Sequence, residues 1–466
     1  MYIRWHLISI AFSMPFLSAT WFDDIPRLLY QPDGESLECF ITGDQYSRRL
    51  HDINDFTIVQ NSENGYFYYA KRDSGSKLIP SGLVAGRGDP QSIGLEPGYC
   101  LSKEDYNTKR QLYHQDELIR NNRDAPNTGE IHQLNVFIRF ADDPEFPDDR
   151  STYREIFETE DDEPSLKHYF SEISHERLTI NTLHFPGSLD GSNASYVDSH
   201  ERSYYKPYSA TNSNGYQSQS DRFLREHSLV ANALNSISQS VPSSVDLDLD
   251  ENGFVDAVSI VVYGTQGAWA DLLWPHRTAL FNEEVYINGA QVYDYLFMLS
   301  ESWYYNVGVL CHEFGHVLGA PDYYHYSAGS GPTPIGYWDV MGSVRNPPQY
   351  PSAFTKWKYF NWIEPVEITS SGTYSLMPLQ EEENSSYFVS SPFSDEEYFI
   401  FEYRNQEGMY DSNAPGTRSG LVAYRVNEGA GNGNASGPPD ELYVYRPQGD
   451  MTSTGNLNDA PYSEIY

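Results

Sequence analysis

Five residues in one short stretch have the types and spacing of a metal centre: His312, Glu313, His316, Gly319 and Asp322. Histidines four apart on a helix lie one turn apart on the same face, so both imidazoles can reach one ion. Of the 13 histidines, only this pair has that spacing. Val307, Leu310, Phe314 and Val317 form an apolar stripe that would bury the other side of such a helix. Gly319 permits the left-handed turn that ends a helix, and Pro321 prevents its continuation. The chain can then fold back and bring Asp322 to the same ion. Two neutral imidazoles, one carboxylate and one water make a tetrahedral zinc site with an exchangeable position. Glu313 stands beside the ligand face, within reach of a zinc-bound water, and is the candidate general base. His325 is an alternative third ligand.

A second oxygen-rich run is Asp248-Leu249-Asp250-Glu251-Asn252-Gly253-Phe254-Val255-Asp256. Asp248, Asp250, Asn252, the Phe254 carbonyl and Asp256 have the ligand spacing of the first half of an EF-hand loop, with glycine at the turn. The twelfth position is Ser259, not glutamate, and a strand follows. Calcium is the expected ion, and an Asx-type turn without one is the simpler alternative. His276 either lines a cleft or fills a core. Cys311, beside His312, reads as a buried thiol. A Cys39 or Cys100 thiolate capping the zinc in a latent form is a further alternative.

These residues need elements to hold them. Before the metal motif, β-like runs are expected at Phe56–Val59, Tyr66–Ala70 and Leu78–Val84, and strands at Leu134–Phe140 and Val255–Tyr263. Helical patterns cover Ser165–Phe170, Phe223–Ile237 and Tyr305–Leu318. Beyond Ile368 the pattern turns to short strands at Tyr374–Met377, Tyr387–Ser390, Tyr398–Tyr403 and Leu421–Val426. The tail from Gly429 to Tyr466 is rich in Gly, Asn, Pro and Ser and has no obvious closing element.

The chain has 466 residues, 39% hydrophobic and 15% aromatic, enough for two or three folded units. Its formal charge of −36 repels phosphate backbones, which argues against nucleic-acid partners. Arg4, the apolar run Leu7–Leu17 and the small residues Ser18, Ala19 and Thr20 read as an export signal cut near Ala19. That run is too short to span a bilayer. A secreted, extracellular protein is therefore expected. Export would allow Cys39 to pair with Cys100. Sequons at Asn193, Asn384 and Asn434 matter only in a host that glycosylates. Ser102–Thr128 reads as a polar linker, with Lys109-Arg110 a place for nicking.

The motif H-E-x-x-H-x-x-G-x-x-D resembles the metzincin peptidases, and Trp338-Asp339-Val340-Met341-Gly342 resembles their methionine turn, with Met341 beneath the ligands. More narrowly, the chain resembles the immune inhibitor A-like secreted metallopeptidases. Gln31-Pro32-Asp33-Gly34 is similar to the start of that family's pro-region. Trp274-Pro275-His276, Val307–Asp322 and Trp338–Gly342 are similar to its catalytic core. Glu402-Tyr403-Arg404-Asn405 and Gly420-Leu421-Val422 are similar to its following β domain. The likeness runs from about residue 30 to about 427. It departs at Arg425 and Asn427, which puts a second role of that strand in doubt.

The resemblance implies an α+β protein with a metzincin-like zinc protease catalytic domain. It divides the chain into a signal peptide (1–19), a β-rich pro-region (20–118), a linker (119–130), the catalytic domain (131–364) and an all-β, sandwich-like C-terminal domain (365–466). The implied activity is endopeptidase hydrolysis of proteins, with one catalytic zinc and a zymogen stage. Two rival classes stay open: a metal-containing adhesion protein, and a zinc hydrolase of a non-protein substrate. An intact Glu313 speaks against the first, since a structural site needs no base.

Overall fold

The computed structural model describes residues 22–43, 48–61, 63–73, 77–100, 124–159, 163–187, 194–265, 275–301, 304–326, 331–381, 385–450 and 452–462. The export-signal residues, Lys109-Arg110, Trp274, Asn193 and Asn384 lie outside them.

Six strands open the chain as an antiparallel meander: β1 (Phe22–Tyr30), β2 (Ser36–Gly43), β3 (Arg48–His51), β4 (Thr57–Gln60), β5 (Phe67–Arg72) and β6 (Leu78–Val84). Period-two alternation sets the inner face; on β2 it turns Leu37, Cys39 and Ile41 inward. Buried Gln31 pins the first turn to β5, accepting from Phe67 N at 2.9 Å and donating to the Phe67 and Ala85 carbonyls.

The second sheet has the spatial order β8-β7-β10-β14-β11. Strands β7 (Gly129–Arg139), β8 (Leu178–Phe185), β10 (Val258–Val262) and β14 (Asp294–Leu299) are mutually parallel, and β11 (His276–Ala279) is an antiparallel edge. The short β9 (Tyr196–Val197) lies beside the end of β7, and β12 (Val285–Ile287) and β13 (Ala290–Val292) form a hairpin. Asn288 and Gly289 both take positive φ at its two-residue turn, as a hairpin of this length requires. Parallel strands buried on both faces read as unbroken apolar runs. In β7, Phe137 faces one core while Val136 and Ile138 face another.

Five helices are described: α1 (Arg150–Arg154), α2 (Leu166–Ile173), α3 (Gln219–Ile237), α4 (Val307–Val317) and α5 (Ala353–Lys358). Leu229, Val230, Ala233 and Leu234 of α3 cover one face of the second sheet. The other face meets α2 and α4, with Phe170 of α2 against Phe314 of α4 at 5.0 Å between ring centroids. The inner residues of the first sheet join this same apolar cluster. None of the described helices is long and apolar enough to cross a membrane.

The third sheet runs in chain order through β15 (Val366–Glu367), β16 (Ser386–Ser390), β17 (Glu397–Arg404), β18 (Gly420–Asn427) and β19 (Leu442–Val444). Three expectations need correction here. Residues 374–377 form no strand; the Tyr374 hydroxyl turns back to the Ser370 carbonyl. The described C-terminal residues form one sheet rather than a sandwich, and its second layer is α5, whose Trp357 stacks on Phe388 of β16. The tail is not open: Tyr462 bridges to Leu421, and the Leu457 carbonyl accepts the Trp338 indole N–H at 2.8 Å.

The expected Cys39–Cys100 disulfide is absent, and all three cysteines are free thiols. Cys39 sits in the core of the first sheet, where burial pushes its thiol up to about 12, so it is no candidate zinc cap.

Candidate metal centre

Helix α4 begins at Asn306, whose side-chain oxygen accepts from Val309 N at 3.0 Å. It ends at Gly319, which takes φ +93°, with its N–H on the His316 carbonyl and Ala320 N–H on the Gly315 carbonyl. The reversal brings Asp322 back over the helix. Its Oδ1 lies 3.2 Å from His312 Nε2 and 3.3 Å from His316 Nε2. His312 and Asp322 are buried, while the His316 side chain is 14% exposed and marks the open side.

Backbone carbonyls fix the tautomers. His312 Nδ1–H donates to the Val340 carbonyl at 2.8 Å, and His316 Nδ1–H donates to the Ala320 carbonyl at 2.7 Å. A carbonyl can only accept, so both protons sit on Nδ1 and both Nε2 lone pairs face Asp322 Oδ1. That oxygen has no hydrogen-bond partner, and neither does either oxygen of buried Glu313. Three electron-rich atoms cannot face one another in a buried site without a cation between them. One shared proton would satisfy at most one imidazole, whereas a divalent ion satisfies all three atoms. The donor set, two imidazoles and a carboxylate, suits zinc.

Charge in the site follows the same geometry. Burial alone would raise the Asp322 carboxyl, but positive charge on the imidazoles, a proton taking the place of an ion, holds it far below the usual carboxylate range. Burial lifts Glu313 above its ordinary value against the pull of His312 and His316. The second Asp322 oxygen accepts the Tyr326 hydroxyl. His325 points elsewhere, its Nε2 2.5 Å from Asp440 Oδ1, and the structure groups Asp322 rather than His325 with the two helix histidines.

Met341 lies fully buried under the helix, against Gly315 between His312 and His316. A Cβ at Gly315 would fall 2.5 Å from Met341 Sδ, and one at Gly308 would fall 2.0 Å from the Arg345 carbonyl. These two glycines, two turns apart on one face, let the 341–345 segment lie directly on α4. Their spacing is the signal in the sequence for this close approach. Asp339 holds the turn from behind, accepting from Met341 N at 2.8 Å, Ser352 N at 2.7 Å and the Thr355 hydroxyl. Arg404 of β17 lies over the Trp338 ring and pairs with buried Glu402 and Asp411. The Glu402–Asn405 stretch thus braces the methionine turn.

His276 belongs to a buried polar cluster on the edge strand. Its Nε2 is 2.8 Å from Glu226 Oε1, which also accepts the Tyr295 hydroxyl at 2.7 Å, and Arg222 approaches the other oxygen at 3.3 Å. On β18, Arg425 meets Glu397 at 3.3 Å and the Asp440 carbonyl at 3.2 Å, while Asn427 accepts from Gly429 N.

In the acidic loop, Asp248, Asp250 and Asp256 bring carboxylate oxygens within 4.8 Å of one another. Several oxygens already accept from the loop itself: Asn252 N reaches Asp248 at 2.8 Å, Gly253 N reaches Asp248 at 2.9 Å and Leu249 N reaches Asp256 at 3.0 Å. The Asn252 side chain bonds Asp250 and Phe254 N. Asp256 Oδ1 is buried without a hydrogen-bond partner, and burial together with the neighbouring aspartates pushes that carboxyl up to about 7.

Residues 252–347 match the family model of the immune inhibitor A peptidase M6 catalytic domain. The match spans the end of the acidic loop, strands β10 to β14, helix α4, Asp322 and the methionine turn. No curated protein matches the chain.

Proposed function

We propose, from the premise that residues 252–347 are immune inhibitor A-like metallopeptidase sequence, that the chain is a zinc-dependent endopeptidase of the metzincin type. His312, His316 and Asp322 hold the ion, and Glu313 is the general base. The observation that carries this reading is the convergence of two fixed Nε2 lone pairs on one orphaned carboxylate oxygen. When bound, zinc polarises the scissile carbonyl and lowers the pKa of a water to about 7.

The chain's own groups do the rest. Glu313, with neither oxygen engaged inside the protein, takes the proton of the attacking water as its oxygen bonds to the carbonyl carbon. The same carboxyl then gives that proton to the leaving nitrogen as the C–N bond breaks, yielding a carboxylate and an amine. Tyr326 holds the outer oxygen of Asp322, and Ala320 and Val340 keep both imidazoles in the ligating tautomer.

A second ion, calcium, is proposed at Asp248, Asp250, Asn252, the Phe254 carbonyl and Asp256, on the strength of the orphaned Asp256 oxygen. Residues 1–19 are proposed as an export signal, which N-terminal sequencing of the released protein checks. The first sheet is proposed as a latency domain, and a large gain on a short quenched peptide after cutting between Leu101 and Thr128 is its test.

The test of the main reading is casein hydrolysis by the purified full chain. Activity should vanish when a chelator strips the metal and return with stoichiometric zinc. A protein that binds one zinc yet cuts neither casein nor short peptides belongs instead to a binding or non-peptide class.

A further inference from the structure

Asp322 is the one candidate ligand that no helix holds. It sits on the loop 319–326, whose shape depends on what touches it from outside. One side is the methionine turn, where Tyr323 N donates to the Met341 carbonyl at 2.9 Å. The other side comes from far along the chain: the segment 431–441, between β18 and β19 of the third sheet.

That segment grips the loop at four points. Asn434 N donates to the Asp322 carbonyl at 2.8 Å, and Asn434 Nδ2 donates to the Tyr323 carbonyl at 3.1 Å. Tyr326 N donates to the Ala435 carbonyl at 3.2 Å, and Asp440 meets the His325 ring. The grip is close: a Cβ at Gly433 would stand 2.6 Å from the Asp322 carbonyl oxygen and 2.8 Å from Pro321 Cβ. Gly433, at φ +74°, brings bare backbone against the loop at this point, and its N–H donates to Glu441 at 2.6 Å. Asn434 is fully buried, and its amide is used at both ends: Nδ2 also donates to the Leu442 carbonyl at 2.7 Å, and Oδ1 accepts from Leu442 N at 3.0 Å. One side chain therefore ties the first residue of β19 to the backbone beside Asp322. A glycan on the Asn434 sequon is incompatible with this arrangement.

We infer that Asn434 is a positioning residue for the metal centre, through which the C-terminal sheet sets where the Asp322 carboxylate stands. The inference rests on the zinc reading above. A carboxylate ligand on a loop must be held to within roughly 0.5 Å to keep its share of the ion's affinity. The clamp fixes the backbone that leaves that residue, at the Asp322 and Tyr323 carbonyls, and also Tyr326, whose hydroxyl holds the carboxylate's outer oxygen. The third sheet is then part of the metal site rather than an appendage.

The experiment uses the full chain, stripped of metal and titrated with zinc against a chelator of known affinity, and in parallel loaded with cobalt to record the visible ligand-field spectrum. Asn434→Ala removes every amide contact. Asn434→Asp keeps the acceptor for Leu442 N and loses the donor to Tyr323. Both should raise the zinc Kd by on the order of 10–100-fold, as loss of an outer support does at other zinc sites, and both should alter the cobalt spectrum. Ser390→Ala, which removes a hydroxyl bonded to Glu367 across the β15–β16 pair of the same sheet, should leave both readings at wild-type values. A zinc Kd within twofold of wild type in a folded Asn434 variant, with an unchanged cobalt spectrum, overturns the inference. If neither Asn434 variant folds, Asp440→Ala, which frees His325 from outside the loop, carries the same comparison with the same outcomes. The zinc reading fails separately: in that case wild-type protein takes up no stoichiometric zinc, or Asp322→Ala binds it as tightly as wild type does.

Discussion

Met341 Sδ occupies the space a side chain at position 315 would need, 2.5 Å from where its Cβ would stand. Met341 is fully buried and has nowhere to retreat. Gly315→Ala should therefore destabilise the protein by about 1–3 kcal/mol, the usual cost of overpacking. Met341→Ala should cost about 2–5 kcal/mol through the cavity it leaves. In the double variant the alanine methyl finds that cavity, so Gly315→Ala should cost clearly less there. Denaturant melts of the four proteins complete the cycle. An equal cost in both backgrounds would show that the contact is not what makes the glycine necessary.

Glu313→Gln tests the base. The amide is nearly isosteric but cannot take a proton from water, and both Glu313 oxygens lack protein partners whose loss could unfold the site. Zinc content and melting temperature should stay near wild type while casein turnover falls by roughly 10²–10⁴-fold or more, the range general base catalysis supplies. Near-wild-type turnover in purified, zinc-loaded Glu313→Gln would falsify the mechanism.

The third ligand is separable by metal analysis. Asp322 Oδ1 is beside both imidazole Nε2 atoms, whereas His325 is engaged with Asp440. Asp322→Ala should lose most of its zinc after dialysis. His325→Ala acts only through the loop and should lose less. The reverse order would move the ligand to His325.

The geometry of the candidate metal site was largely legible in the sequence because the residues that form it are local. His312, Glu313 and His316 sit on one helix, and Gly319 and Pro321 announce the turn that brings Asp322 back. What sequence could not carry was the support that arrives from a distance. Asn434 lies far along the chain from Asp322, and its contact with that loop depends on how the third sheet docks. The first sheet shows a similar limit. Strands β4 to β6 came close to their expected positions, but β1 to β3 went unanticipated, since β1, FDDIPRLLY, combines two aspartates with a proline. The expected strand at 374–377 failed for the opposite reason: alternation was present, but no strand among the described residues forms a backbone ladder with it.

Lys356 of α5 gives a pH prediction away from the metal. It is fully buried, with Nζ 2.9 Å from His175 Nε2 and 3.3 Å from the Leu379 carbonyl. Burial foremost, helped by Arg404 and Arg177 and opposed by Glu402 and Glu172, brings its amine down to about 7. Between about pH 7 and its unfolded value near 10.4, the unfolded chain holds a proton here that the folded chain does not. Stability contributed by this group therefore rises with pH across that window, by at most about 1.4 kcal/mol per unit. Lys356→Met should flatten that slope in urea melts taken at successive pH values. A wild-type slope no steeper than that of Lys356→Met would mean that the buried amine stays charged.

Calcium is tested through stability. Asp248, Asp250 and Asp256 crowd their oxygens within 4.8 Å, and Asp256 keeps a buried oxygen with no donor. The loop's own N–H groups answer part of that charge, which is why an Asx-type turn without an ion is a serious rival. The two differ in mass action. An ion that binds only the folded loop stabilises it by RT ln(1 + [L]/Kd), about 2.7 kcal/mol at one hundred times Kd. The melting temperature of wild type should thus climb with calcium concentration at constant ionic strength, and magnesium should do less, since it demands a tighter octahedral shell. Asp250→Ala removes an exposed carboxylate that bonds Asn252 within the loop, so its melting temperature without calcium should stay near wild type as relieved repulsion offsets the lost contact. With calcium it should climb far less than wild type. If wild type and Asp250→Ala respond alike, or neither responds, the carboxylates are the furniture of a turn and the proposed second ion is withdrawn.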